Sequence, residues 1–289
     1  GKIVKCAAID IGTNSCRLLI CDRFGDNLLK IRQQLETTRI GGEKTKAGNL
    51  NPQAIHRTCT CLAEFRQEMD KYEVSRYRAV ATSAVREAGN AQEFVSRVWQ
   101  ESGIKVEIIS GEEEARLSYL GVKEGLDLKI EPLVADLGGG SCEFIFGGGE
   151  YLTSIEIGAV RATELNMSAY DIVNKLEPVR AEKELFKGYP LVMVGGTVTT
   201  LTAIKLGLHE YCSQLVHGQV LTRREVADIY NLLERMPLPI RRRLPGLQPE
   251  RADIIVKGAL IVLLMMDLLG KTEITVSESD LMEGIIREL

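Results

Sequence analysis

Ala8-Ile9-Asp10-Ile11-Gly12-Thr13-Asn14-Ser15-Cys16 and Val134-Ala135-Asp136-Leu137-Gly138-Gly139-Gly140-Ser141-Cys142 are two versions of one phrase. Asp, Gly, Ser and Cys stay in register at an offset of 136 − 10 = 126 residues. A duplicated unit constrains architecture more than local propensity does. The apolar runs 3–11 and 133–137 read as buried strands, and 16–21 and 142–146 as the strands that follow each glycine turn. Each copy is therefore a β-hairpin. Its glycines permit positive φ and let successive backbone N–H groups converge on one small concavity, which can hold phosphate oxygens with few cations. Asp10 and Asp136 stand at the strand ends, facing that concavity.

A third glycine turn, Val194-Gly195-Gly196-Thr197, separates the apolar run 191–194 from a helical pattern at 198–206. A helix N-terminus there adds partial positive charge. The remaining pattern alternates: helix 52–71, strand 78–81, helix 91–101, strand 106–109, helix 111–125, then helices 222–235 and 250–269 around the proline-marked loop 237–249. The first half reads β-β-β-α-β-α-β-α, the order of an α/β protein. With 289 residues, 45% of them hydrophobic, the chain can fill two cores. The expected division is 1–126 and 127–289, with the last helix free to pack back on the first domain.

A formal charge of −4 and a pI near 5.7 give no general positive field, so nucleic acid is not an expected partner and a polyanion needs a local site. Seven cysteines, an odd number without a C-x-x-C pair, argue against a disulfide framework. No signal peptide is apparent, and reduced thiols in a cytoplasm are expected. The longest uncharged apolar run, 258–266, falls short of the about 20 residues that a membrane span requires. His56, His209 and His217 lack metal-ligand spacing.

Ser110-Gly111-Glu112-Glu113 has capping-box form, which predicts that Glu113 folds back to the N-cap amide. Glu114 then shares a helical stripe with Leu117, Ser118 and Gly121 that can face a cleft. Hard carboxylate oxygens at Asp136 and Glu143, with Asp10 at the equivalent place in the first hairpin, suit Mg²⁺ beside phosphate.

The motifs D-I-G-T-N-S-x-R-L, S-G-E-E-E-A-R-L, D-L-G-G-G-S-x-E, G-G-T-x-T-T-L and L-P-G-L-x-P-x-R-A-D-I-I-x-x-G-A occur here in that order. Nearly end to end, the chain resembles the exopolyphosphatase/guanosine pentaphosphate phosphohydrolase (Ppx/GppA) family of the actin-like ATPase superfamily, in its short two-domain form. The resemblance implies two ribonuclease-H-like domains with an active-site cleft between them, and a substrate that is polyphosphate or guanosine pentaphosphate. It makes Glu114 the general base and associates Asp136 and Glu143 with a divalent metal, the Asp10 loop lying against phosphate. The expected phosphate-binding set is Gly12, Thr13, Asn14, Ser15, Gly138, Gly139, Gly140, Ser141, Gly195, Gly196 and Thr197, with Arg17 and Arg86 as guanidinium contacts.

Arg39 also matches the pattern as a further substrate-grip candidate, and Arg161 and Arg251 match it either as substrate contacts or as domain anchors. Arg241-Arg242-Arg243 reads as a solvated loop rather than a polyanion track. Family members commonly form homodimers, although no stripe here defines an interface. One departure stands out: Asp280-Leu281-Met282-Glu283-Gly284 occupies the place of Gly-Leu-Arg-Glu-Gly and puts substrate preference in question. Two other functions compete with hydrolysis: an actin-like kinase or ATPase, and a non-catalytic module that binds the alarmone or polyphosphate.

Overall fold

A computed structural model of the chain describes residues 1–44 and 47–289. The first half runs β1 (Val4–Ile11), β2 (Cys16–Phe24), β3 (Asn27–Glu36), α1 (Pro52–Lys71), β4 (Arg76–Ala81), α2 (Ser83–Arg86), α3 (Ala91–Ser102), β5 (Val106–Ile108) and α4 (Gly111–Gly125). The second begins with β6 (Leu133–Leu137), β7 (Cys142–Phe146), β8 (Tyr151–Ile155), α5 (Ala159–Glu164), α6 (Ala169–Arg180), β9 (Leu191–Val194) and α7 (Gly196–Leu206). It continues with α8 (Ser213–Val216), β10 (Val220–Thr222), α9 (Arg223–Arg235), α10 (Leu238–Arg241), α11 (Ile255–Leu269), β11 (Glu273–Val276) and α12 (Leu281–Glu288).

Two mixed sheets result, in the orders β3-β2-β1-β4-β5 and β10-β11-β9-β6-β7-β8. Reversed, the second repeats the first and adds β10 at its edge. In both, a hairpin pairs antiparallel while the next strand lies parallel to the hairpin's first strand. Capping chemistry sets the element ends. The side chain of Asn51 accepts from the amide of Gln53 ahead of Pro52, and Gly270, at φ +66, terminates α11.

The region read as one helix over 250–269 divides. Pro249–Arg251 is a 3₁₀ turn, and α11 starts only at Ile255. The arginine triplet is also not simply solvated. Arg241 donates to the carbonyls of Leu233, Met236 and Ala252, closing the end of α9, and only its two neighbours are exposed.

One face of the first sheet is covered by α1 and α3. Its other face, with Ala8, Leu19 and Val80, receives Leu281, Ile285 and Ile286 of α12. Conversely α4, although it ends the first half, sends Ala115 and Val122 against Val134, Ile145 and Val192 of the second sheet. The two helices thus cover each other's sheets, and they cross at a contact without side chains. A Cβ on Gly121 would stand 1.7 Å from the Asp280 carbonyl oxygen, and one on Gly284 would stand 2.1 Å from that of Leu117. Alanine's helix propensity is worth about 1 kcal/mol over glycine, whereas intrusion on backbone that cannot retreat costs about 1–3 kcal/mol or more. Gly121→Ala is therefore expected to lower the urea unfolding midpoint. An unchanged or higher midpoint would show that the helices can separate freely.

Candidate active site

The three glycine turns and the start of α4 open onto one cavity of about 470 Å³ between the sheets. Its wall includes Asp10, Gly12, Thr13, Asn14, Ser15 and Arg17 from the first hairpin, and Asp136, Gly138, Gly139, Gly140 and Ser141 from the second. Gly195, Gly196 and Thr197 come from the third turn, and Glu114 from α4. Arg86 and Glu143 lie behind this wall. Arg86 donates to the Ile109 carbonyl at 2.7 Å and lies 3.5 Å from the Glu114 carboxylate. Glu143, only 1% exposed, accepts from the hydroxyls of Ser141 and Ser154.

Positive φ is not what most of these glycines are needed for. Among those of the three turns only Gly195, at φ +114, needs the left-handed region. In the second hairpin the constraint is space: a Cβ on Gly139 would meet Thr13 at 3.0 Å, and one on Gly140 would meet Ser83 Oγ at 2.4 Å. The two loops are pressed together.

The duplication also carries opposite charge. Arg17 and Glu143 are equivalent positions, 143 − 17 = 126, and each pairs across its hairpin with the aspartate of its own copy: Asp10↔Arg17 and Asp136↔Glu143. Arg17 donates to Asp10 Oδ2 through Nε at 3.3 Å and Nη2 at 2.8 Å, and through Nη1 to Asp280 Oδ2 at 2.8 Å. The second hairpin instead places carboxylate beside carboxylate.

Burial, followed by the charges of Glu143 and Asp136, pushes Glu114 well above the ordinary carboxylate range. Its carboxyl group shares a hydrogen bond with that of Glu143, whose own affinity for protons burial also raises. Burial and Glu143 raise Asp136 to about 8, even though Ser118 donates to it. Glu113 turns elsewhere. Ser110 Oγ accepts from its amide, as a cap should, but its carboxylate is drawn to Arg116 and Arg78 and leaves the N-cap amide alone.

Two arginines that matched the family pattern bridge the halves. Arg39, held at φ +50, makes a bidentate pair with Asp253, and Arg161 pairs with Glu87 while donating to the Gly140 carbonyl. Arg251 lines the cavity at the third turn, its guanidinium occupying the space a Cβ on Gly196 would need. Burial and nearby Arg17 lower its affinity for protons, to a pKa of about 10.

Sequence reasoning passed over Ser83 and Glu278. Both line the cavity, and each has a buried oxygen without a hydrogen-bond partner. A serine directly after the strand end Ala81-Thr82 was a usable signal for the first. Nothing near Glu278 marks it.

For a divalent cation, Asp10 Oδ1 is likewise buried and unpartnered at the cavity, with Asp136 on the same wall. Among the described residues no group of three or more His, Cys, Asp or Glu side chains closes into a metal cage.

Two ribonuclease-H-like units of the actin-like type, joined over a cleft that gathers glycine turns and carboxylates, define the class. Residues 22–289 match the Ppx/GppA phosphatase family, and the chain belongs to it. It is 36% identical to the bifunctional 3-dehydroquinate synthase/phosphatase of Fusobacterium nucleatum, over 98% of this chain and 46% of that protein. It is 32% identical to exopolyphosphatase 2 of Mycobacterium tuberculosis, over 99% of each. The structure of the Aquifex aeolicus PPX-GPPA enzyme superposes with a TM-score of 0.83 at 33% identity, covering 100% of both chains. This chain thus spans about half of the Fusobacterium protein and nearly all of the mycobacterial one.

The raised carboxylates predict a pH dependence. A group such as Asp136, protonated more readily folded than unfolded, contributes stability that is full below its unfolded value of 3.8 and is lost as pH rises through about 8. In chelator, the wild-type unfolding free energy should fall from pH 5 to pH 8, by up to about 1.4 kcal/mol per pH unit per proton. Asp136→Asn should flatten that slope in urea titrations, and an unaltered slope would exclude Asp136 as its source.

Proposed function

We propose that this chain is a phosphohydrolase that removes terminal orthophosphate from inorganic polyphosphate or guanosine pentaphosphate, using a water molecule activated by Glu114. What carries the reading is the convergence of three glycine turns and one buried glutamate on a single cavity. Phosphoanhydride cleavage calls for donors around the transferring phosphoryl oxygens, charge neutralisation and an in-line water. The backbone amides of the turns supply the donors. In this reading the halves, residues 1–126 and 127–289, form facing walls of the site.

Glu114 is suited to the proton. A base is most effective when its pKa lies near the working pH, and burial beside Glu143 moves Glu114 upward from the range in which a carboxylate is a poor acceptor. As the water oxygen bonds to phosphorus, its proton passes to Glu114 and the bridging P–O bond breaks toward the shortened chain. Arg86, 3.5 Å away, holds the carboxylate in place. Asp10 and Asp136, which line the cavity, are the carboxylates that would hold Mg²⁺, whereas Glu143, expected as a ligand, lies behind the wall. The ion would neutralise phosphate charge and favour the ionised forms of nearby carboxyl groups.

Phosphate release from polyphosphate, guanosine pentaphosphate and ATP should be measured side by side. Turnover of either of the first two is expected, and turnover of ATP alone would make the chain a kinase or ATPase. Glu114→Gln should keep its melting temperature and lose at least about a hundredfold in kcat. Near-wild-type kcat would remove Glu114 from the role.

A further inference from the structure

Arg17 is the guanidinium of the first phosphate loop, yet its charge is already committed. Of its five N–H donors, two point to Asp10 Oδ2 and one to Asp280 Oδ2. One positive charge faces two negative ones. Glu278, from the same segment as Asp280, also lines the cavity with an unpartnered oxygen.

Asp280 cannot swing away from this arrangement. It is 6% exposed, and its Oδ1 accepts from the Met282 amide at 3.0 Å to cap α12. Its own amide donates to Glu283 Oε2 at 2.8 Å, while Glu283 Oε1 is paired with Lys30 at 2.8 Å. The Asp280 carbonyl lies against Gly121 of α4. A carboxylate fixed at a helix start and pinned at a helix crossing is a rigid tether for Arg17. The Arg251 guanidinium, by contrast, forms no ion pair among the described residues and donates to the Gln248 side chain at 3.3 Å.

We propose that Asp280 is a specificity-determining positioning residue: by holding Arg17 it limits how strongly the cavity binds multiply charged phosphate chain ends. The inference rests on the phosphate-site reading above. A ligand phosphate gains Arg17 only in competition with Asp280, and in gaining it leaves that carboxylate uncompensated beside the bound anion. Coulomb repulsion scales with ligand charge, so the restraint acts more on tripolyphosphate than on orthophosphate. Asp280 thus grades ligands by charge and leaves the chemical step to other groups.

The test is calorimetric binding of sodium tripolyphosphate and of orthophosphate to the wild type and to Asp280→Asn, with the melting temperature measured in parallel. Asparagine keeps an oxygen that can accept from the Met282 amide and is a good N-cap. Tripolyphosphate should bind Asp280→Asn about tenfold more tightly, orthophosphate should gain less, and the added affinity should fall as salt is raised. Asp280→Ser, a second neutral cap, should give the same gain, and Arg17→Gln in the Asp280→Asn background should abolish it. Where hydrolysis is measurable, the gain should appear in KM while kcat stays unchanged. A purely structural Asp280 would alter the melting temperature and leave both affinities alone, which overturns the proposal. Absence of any binding of either anion to any of these proteins would overturn the phosphate-site reading and this inference with it.

Discussion

Where α4 crosses α12, two backbones touch because two side chains are missing. Gly121 faces the carbonyl of Asp280, and Gly284 faces that of Leu117. This contact fixes the depth of everything attached to either helix. Glu114 lies 121 − 114 = 7 residues before it, two helical turns away, and Ser118, which donates to Asp136, lies between. On the other helix, Asp280 and Glu283 begin the segment that reaches Arg17 and Lys30. One steric condition thus sets the spacing between the candidate base and the charged wall of the cavity.

The duplicated hairpins show how little backbone must change to reverse the chemistry of a site. Both present an aspartate one residue before the strand end, opposite the second residue of the return strand. With arginine in that position the aspartate is neutralised by a neighbour. With glutamate it becomes half of a carboxylate pair that retains protons. The fold supplies two equivalent seats, and a single residue decides whether each attracts anions or cations.

Much of this was legible because it is local. The hairpins β1–β2 and β6–β7 announce themselves as apolar runs broken by glycine, and the helix expected at 52–71 is α1. Glu114 was singled out from the rotation of a helix and the family resemblance. What stayed hidden depends on distance along the chain. Arg39 meets Asp253 across 214 residues and Arg17 meets Asp280 across 263, and no periodicity encodes such pairings. The role of Gly139 and Gly140 was misread for the same reason: the atoms that exclude a Cβ belong to Thr13 and Ser83, in the other half. The divided helix at 250–269 shows the limit of pattern, since composition alone does not register a 3₁₀ turn.

The exchange of α4 and α12 also imposes an order on synthesis. The strands of the first sheet leave the ribosome early, but within its own half one of their apolar faces is covered only in part, by Ile109 and by Leu117 of α4. Ala8, Leu19 and Val80 must wait for Leu281, Ile285 and Ile286, more than 200 residues later. Until then the nascent chain carries an open, half-finished sheet that chaperones can hold and that other chains can capture. The second sheet finds α4 already made, whereas the first is fully covered only when residues 281–288 arrive.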